Sequence, residues 1–443
     1  MAITKLKRIA IHNYKSLRYV ELFPAQSDFT VLVGRNGSGK TNLADAFDFL
    51  KLVYQLGLEH AIARKGGYEN IAHRKERRSR TAIQFEIEMS MTMRLAEIYP
   101  ELRRRGVDDG VGPAATIHMK HKFSFRATGQ GIRSEFIVSD ECLTLNIDGS
   151  LAQQDLFGAP SDEVSLRRSA GGEVTASADD RSRFATAVLF EPRFWAAQEA
   201  PAVVLPATEL LSTFPYIRSS VPGRLFNWLQ RMSVFQLSPE VARSPGVPTP
   251  NPSLSNRGEN LPAVVDWMQR HHAEEWGNVE SLMKDIVPEI ESISVDYLHT
   301  RTLGIFFKER GVGRSWTAEE VSDGTIRSLA ILVACYDPRA ALLFIEEPEN
   351  SLHPWIIKVI MGGLRKLSSR KPILLTTHSP LVLNSVSPEE VSVVFKKNGE
   401  TAVQQLTAFD SQLQDDWVAG RFRLFDYIDA GMVAEAVPSG ASQ

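Results

Sequence analysis

Only two cysteines, Cys142 and Cys335, occur in the 443 residues, and they lie far apart, which excludes a disulfide framework. Cys335 sits in an apolar helical pattern, and both thiols read as reduced packing residues. No run of eighteen apolar residues is present, so no membrane-spanning helix and no membrane partner are expected. The start, Met1-Ala2-Ile3-Thr4-Lys5, has no apolar core of signal length, and the expected location is the cytoplasm. A sustained heptad repeat is missing, which excludes an extended coiled-coil arm. No zinc-ligand or HNH spacing appears. Charge of one sign is lacking too: 50 basic side chains against 53 acidic ones leave a net charge of −3, so any basic site must be local. With 43% hydrophobic and 23% charged residues, the chain reads as an ordinary globular protein of one large or two to three smaller domains.

What is present starts with Phe29 to Leu50. The β-branched run Thr30-Val31-Leu32-Val33 stops at Gly34-Arg35-Asn36-Gly37-Ser38-Gly39-Lys40-Thr41, and a helical pattern follows, with Leu43, Ala46, Phe47 and Leu50 at i, i+3, i+4 and i+7. Strand, glycine-rich loop and helix in this order make a phosphate-binding loop. Its glycines let successive backbone N–H groups turn toward phosphate oxygens, and the positive end of the helix adds to the field. Lys40 supplies a point charge for the β- and γ-phosphates of ATP, and the Thr41 hydroxyl can sit on Mg²⁺. Gly34, Asn36, Gly37, Ser38, Gly39, Lys40, Thr41 and Asn42 are the expected nucleotide-binding residues.

Later segments supply the chemistry that complements this loop. Val321-Ser322-Asp323-Gly324-Thr325 opens a helix with Ile326, Leu329, Ala330 and Val333 on one face, and Ser322 is placed to cap it. The apolar run Ala341 to Ile345 is a buried strand ending in Glu346-Glu347-Pro348-Glu349, which puts carboxylates beyond a strand's carboxyl end. One carboxylate can hold the Mg²⁺ water shell and the next can activate a hydrolytic water. Asn350-Ser351-Leu352-His353-Pro354 turns into another helix, and the strand Pro372 to Thr376 ends in Thr377-His378-Ser379, where His378 reads as a γ-phosphate or water sensor.

In order and spacing these five motifs resemble an ATP-binding-cassette (ABC) head of the SMC/RecF type, and more narrowly the stand-alone predicted ATPases and phage-defence ATPases related to the OLD family. The resemblance covers about residues 1 to 90 and 290 to 395. It implies a P-loop ATPase with ATP and Mg²⁺ at Lys40 and Thr41, Glu346 as the Walker B acid and second metal-site residue, Glu347 as catalytic base and His378 as the switch histidine. It further implies that Ser322 and Gly324 form the signature motif, acting in trans on a second subunit of a homodimer or higher oligomer. The signature departs from the family by reading Ser-Asp-Gly in place of Ser-Gly-Gly, which adds a carboxylate near the γ-phosphate. No glutamine loop is evident; Gln84 is the nearest candidate. Asp415-Asp416 and Asp426-Tyr427-Ile428-Asp429 do not form an Asp-x-Asp pair after a strand, so the TOPRIM nuclease site of OLD proteins is not expected.

The expected fold class is α/β: an ABC-ATPase head with an antiparallel β-subdomain and an inserted helical subdomain. Residues 1–90 form the N-terminal lobe of the head, 91–183 the β-subdomain with a long loop over Gly149 to Arg183, 184–290 the helical subdomain, 291–395 the C-terminal lobe, and 396–443 a strand and helix extension. Within 184–290 the aromatics Phe226, Trp228, Phe235, Trp267 and Trp276 are expected in the core, and the Pro-rich Ser244 to Pro252 reads as a mobile loop. Arg64 to Arg80 is strongly basic, a second cluster stands at Arg103-Arg104-Arg105, and two readings stay open: contact with a DNA backbone or acidic partner, or a solvated surface. The function expected is an ATPase whose dimer closes on ATP and controls an effector protein in phage defence or DNA maintenance. The alternative is a nucleotide-gated scaffold that holds an effector with little or no hydrolysis.

Overall fold

The computed structural model describes residues 3–73, 81–98, 114–129, 135–148, 163–177, 203–214, 217, 221–299 and 301–433. Its strands, in chain order, are β1 (Ile3–Tyr14), β2 (Leu17–Leu22), β3 (Phe29–Val33), β4 (Ile83–Arg94), β5 (Ala114–Ala127), β6 (Phe136–Ile147), β7 (Glu163–Arg168) and β8 (Val174–Ser177). They continue with β9 (Met232–Phe235), β10 (Ile290–Tyr297), β11 (Leu303–Glu309), β12 (Ser315–Thr317), β13 (Leu342–Glu346), β14 (Ile373–Thr377), β15 (Val391–Lys397) and β16 (Glu400–Gln405). Two compact units divide the chain. One comprises Met1–Pro24, Asp45–Gln230 and Lys396–Val403, the other Ala25–Ala44, Arg231–Phe395 and Gln404–Gln443.

The first unit is built on a seven-stranded antiparallel sheet in the order β2-β1-β4-β5-β6-β7-β8. The period-two pattern of β4 dictates its faces: Ile83, Phe85, Ile87 and Met89 are buried, and Gln84, Glu86 and Glu88 alternate with them. On the buried face Phe85 stacks on Phe123 and on Phe49, with ring centroids 5.6 Å apart in both pairs. On the other face Arg8 pairs with Glu86 at 2.6 Å, with Glu88 at 3.1 Å and with Glu21, which ties β1 to both neighbours. The first ninety residues, expected as one lobe, divide between the two units: β1, β2 and β4 belong to this sheet, and Ala25–Ala44 to the second unit. Residues 163–177, expected inside a long loop, form the hairpin β7–β8, in which Val164, Leu166 and Val174 are buried. Their alternation is short and is hidden in a Ser- and Asp-rich surrounding. The rest of Gly149 to Arg183 lies outside the described residues.

The second unit carries a parallel sheet whose strands run β15-β3-β14-β13-β9. All five residues of β3, of β13 and of β14 are buried, as expected for strands covered on both faces. Register aligns their carboxyl ends: Glu346 stands opposite Thr376, and Thr376 and Thr377 opposite Leu32 and Val33. The region expected as an inserted helical subdomain also contributes β9, which pairs with β13. Four residues, Met-Ser-Val-Phe, are too few to show a period, and only the parallel neighbour makes them a strand. Phe226, Phe235, Trp267 and Trp276 are buried as expected, and Trp228 is only half-buried. Nor is the Pro-rich segment wholly loose: Gly246 and Leu303 exchange backbone hydrogen bonds of 2.9 and 2.7 Å.

The sheet also fixes a glycine. A Cβ on Gly34 would lie 1.9 Å from the carbonyl oxygen of Val394 in β15, whereas one on Gly37 would meet nothing within 4 Å. Gly34 is thus required by the close approach of β15, and Gly37 and Gly39 by their left-handed φ of 77° and 114°. Gly34→Ala is expected to destabilise the fold by about 2 kcal/mol or more, and Gly37→Ala by about 1 kcal/mol. Urea denaturation measures both; equal losses would contradict the packing argument.

Candidate functional site

β3 delivers the loop Gly34 to Gly39, and the helix Lys40–Leu56 follows it directly. Asn36, Gly37 and Thr41 are exposed, while Ser38 and Lys40 are buried. The Lys40 ammonium donates to the carbonyl oxygens of Gly34 at 2.7 Å and Arg35 at 3.1 Å, so it lies curled under its own loop. Burial pulls its pKa below the ordinary lysine range, and the carboxylates of Glu347, Glu346 and Glu349 act in the opposite sense. Three acids therefore surround one lysine at the end of the sheet.

Those acids differ in what they do. Glu346 closes β13 and is buried. Glu347 follows with φ of 44°, a left-handed backbone rare outside glycine. Its N–H donates to the Thr376 carbonyl at 3.0 Å, its carbonyl accepts from Arg327 Nη2 at 2.8 Å, and Asn350 Nδ2 donates to its Oε2 at 2.7 Å. The other carboxylate oxygen is 3.8 Å from His378 Nε2. Glu349 turns the other way: its Oε1 accepts from the Thr377 hydroxyl at 2.6 Å and from the His378 N–H at 3.0 Å. It fastens the turn after β13 to the end of β14, which makes it a brace for His378.

Arg327 and Asn350 carry roles that the sequence did not single out. Arg327 is buried in the second turn of the helix Asp323–Tyr336 and donates from Nη1 to Leu237 O at 2.5 Å as well as to Glu347 O. A lone arginine inside the apolar run Ile326 to Cys335 was the available signal, since a buried guanidinium must be satisfied. Ser322 caps the same helix as expected, accepting from Thr325 N at 3.1 Å. Gly324 packs beside the following turn, where an added Cβ would be 3.4 Å from Ser351 O. The structure thus gathers Lys40, Glu346, Glu347 and His378 at the strand ends, with the Ser322 loop against the turn that starts at Asn350.

Other expected contacts fall elsewhere. Gln84 lies on β4 of the antiparallel unit, opposite Ser124 and His12, and not in the unit that holds the phosphate loop. Within the basic stretch, Lys65 is bound to Asp45 at 2.6 Å and Asp48 at 2.7 Å, and so is not available as a free phosphate contact. Residues 74–80 and the cluster Arg103-Arg104-Arg105 lie outside the described residues.

Strand, phosphate loop, helix and aligned carboxylates together make the arrangement of a P-loop nucleotide-binding fold. A family model described as "AAA domain, putative AbiEii toxin, Type IV TA system" matches residues 29–99 and 243–384, just under half of the chain. No curated protein matches the sequence. Among solved structures, an Smc head bound to the C-terminal winged-helix domain of ScpA is 13% identical, with TM-score 0.41 over 90% of this chain and 97% of the other. An Smc head with an extended coiled coil, bound to the C-terminal domain of ScpA from Pyrococcus furiosus, is 12% identical, with TM-score 0.41 over 95% and 100%. The SMC head domain from Thermotoga maritima is 11% identical, with TM-score 0.36 over 90% and 98%.

The electrostatics give a ligand-free test. Burial first, and the Lys40 charge second, hold the His378 imidazole below its ordinary value, against Glu347 and Glu349. Because the folded value is depressed, the stability linked to this group is present above the unfolded value of about 6.5 and is lost as pH falls through the folded value. In an NMR titration His378 is expected to titrate below 6.5 in the native protein, higher in Lys40→Ala and lower in Glu347→Gln. Identical midpoints in all three proteins would contradict this arrangement.

Proposed function

We propose that the chain binds ATP with Mg²⁺ and hydrolyses it within a two-fold dimer, using the opening and closing of that dimer to control a partner. The observation that carries this reading is the alignment of β3, β13 and β14, which sets Lys40, Glu347 and His378 around one point at the carboxyl edge of the sheet.

The residues present fit the nucleotide. Exposed loop positions stand at a helix N-terminus, Gly37 and Gly39 have the left-handed φ a phosphate cradle needs, and a buried ammonium is bonded to carbonyl oxygens that phosphate can replace. Among the described residues no group of three or more His, Cys, Asp or Glu forms a metal cage. A hydroxyl and a carboxylate, from Thr41 and Glu346, suit Mg²⁺, which takes one or two carboxylates and fills its remaining positions with phosphate oxygens and water. Thr41 and Glu346 would hold it, and when bound it supplies charge neutralisation for the phosphates.

The remaining chemistry belongs to the chain. Lys40 leaves the Gly34 and Arg35 carbonyls and bonds phosphate oxygens in their place. Asn350 holds one oxygen of the Glu347 carboxylate, so the other is oriented to accept a proton from an attacking water. His378, neutral at pH 7 through its depressed pKa, can accept or donate one hydrogen bond beside that water. Ser322 and Gly324, at an exposed positive helix end, face the phosphates of the other subunit. Closure thereby depends on ATP and reverses after hydrolysis. A role in defence, acting on an effector protein, accords with the toxin–antitoxin description of the matching family model.

Two variants separate binding from turnover. Lys40→Ala is expected to abolish binding of a fluorescent ATP analogue. Glu347→Gln should bind it normally, lose about 100-fold or more in phosphate release, and accumulate as a dimer in size-exclusion chromatography with ATP. Near-normal turnover in Glu347→Gln would remove the base assignment, and dimer-independent hydrolysis by the native chain would remove the shared site.

A further inference from the structure

The carboxylate of Asp323 stands at the first position of the helix whose N-terminus is proposed above to meet phosphate, a place where a negative charge opposes an anionic ligand. Arg243 addresses it. Arg243 follows the short helix Pro239–Ala242, and its guanidinium donates from Nη1 to Asp323 Oδ1 at 2.6 Å, from Nη2 to Val321 O at 2.8 Å and from Nε to Ala318 O at 3.0 Å. One side chain thus holds three points along the six residues that lead into the helix, and every nitrogen of the planar fork is engaged. Asp323 is mostly exposed and Arg243 mostly covered, with side-chain exposures of 63% and 18%.

The base of this clamp is itself fixed. Arg243 N donates to Pro239 O, and three residues later Gly246 is locked to Leu303 by the paired backbone bonds. On another side the loop has little support. A cavity of about 330 Å³ is bordered by Ile290, Phe307, Trp316, Glu320, Ser322 and Thr325. Ser322 borders this cavity: its hydroxyl accepts from Thr325 N and its carbonyl from Ile326 N, and Arg243 holds its neighbours Val321 and Asp323.

We propose that Arg243 is a positioning residue for the Ser322 loop: it fixes the loop through the carbonyls of Ala318 and Val321 and cancels the charge of Asp323, so that a Ser-Asp-Gly sequence can receive phosphate. The inference rests on the proposed function in taking phosphate as the ligand of this loop. It also accounts for how an aspartate can stand at the head of this helix without opposing an anionic ligand.

The test uses the full-length chain in four forms: native, Arg243→Ala, Arg243→Lys and Arg243→Ala with Asp323→Gly. Steady-state phosphate release should show kcat reduced about tenfold or more in Arg243→Ala, with KM changed by less than about threefold, the pattern of an interaction used after substrate binding. Arg243→Lys should not restore the rate, since one ammonium cannot serve three acceptors held by a planar fork. Adding Asp323→Gly should raise kcat at least about threefold above Arg243→Ala alone, because the uncompensated carboxylate is gone. Rescue of this kind is not expected of a residue that only supports the fold. Amide hydrogen exchange of residues 318–326 without nucleotide should be faster in Arg243→Ala and unchanged elsewhere. Should Arg243→Ala fail to fold, Arg243→Gln is read by the same criteria. Native exchange in the Ala variant, or no gain from Asp323→Gly, would overturn the proposal. A native protein without ATPase activity would instead overturn the proposed function, and the exchange result would still decide whether Arg243 holds the loop.

Discussion

The site depends on a backbone conformation that its own residue does not favour. Glu347 sits in the left-handed region, at a cost of about 1–2 kcal/mol for a side chain with a Cβ. Three contacts hold it there: the N–H to Thr376, the carbonyl to Arg327 and the carboxylate to Asn350. Arg327 matters most among them, because it is buried and charged, and it donates to two backbone carbonyls, Leu237 O and Glu347 O. Removing the guanidinium would leave the buried Leu237 carbonyl and the part-buried Glu347 carbonyl without this donor. The left-handed turn in effect swings the carboxylate off the line of β13 and toward His378 on the neighbouring strand.

The same arginine gives the helix Asp323–Tyr336 a double attachment. Ser322 caps its first turn, and Arg327 in its second turn grips the backbone of the proposed base. A shift of the Ser322 loop on meeting a ligand would therefore be felt at Glu347 through a rigid element of little more than one turn. Such a connection is a physical path between the two nucleotide sites of the proposed dimer, since Ser322 and Glu347 of one chain would serve different sites, and it requires no motion of the sheet. Electrostatics bears on the same place: the carboxylates of Glu347, Glu346 and Glu349 favour the charged form of Lys40 against the effect of its burial.

Much of this was readable from residues alone, for definite reasons. The phosphate loop was legible because glycines, a lysine and a hydroxyl at fixed spacing stand between a period-free buried strand and a helical repeat. The glutamates and His378 were legible because each ends an apolar run. Interactions without a local pattern were not. Arg327 and Arg243 act on backbone carbonyls of turns distant in sequence, and no spacing rule reports that. β9 is a strand only because β13 lies beside it, and β7 and β8 are short alternations in a polar stretch. The role of Gly34 was half legible: its need for a hydrogen side chain was foreseen, yet its cause is the Val394 carbonyl and not the turn.

The central claim, that each nucleotide meets Lys40 and Glu347 of one chain and Ser322 of another, is tested most directly by complementation between two inactive variants. Lys40→Ala and Ser322→Arg are each expected to be inactive as homodimers. When they are mixed and subunits exchange, half of the dimers are mixed, and each of these has one site with an intact Lys40 facing an intact Ser322. The account predicts that roughly a quarter of native ATPase activity returns if sites act independently. No recovery despite demonstrated subunit exchange, together with crosslinking of residue 322 to nucleotide bound in its own polypeptide, would contradict it.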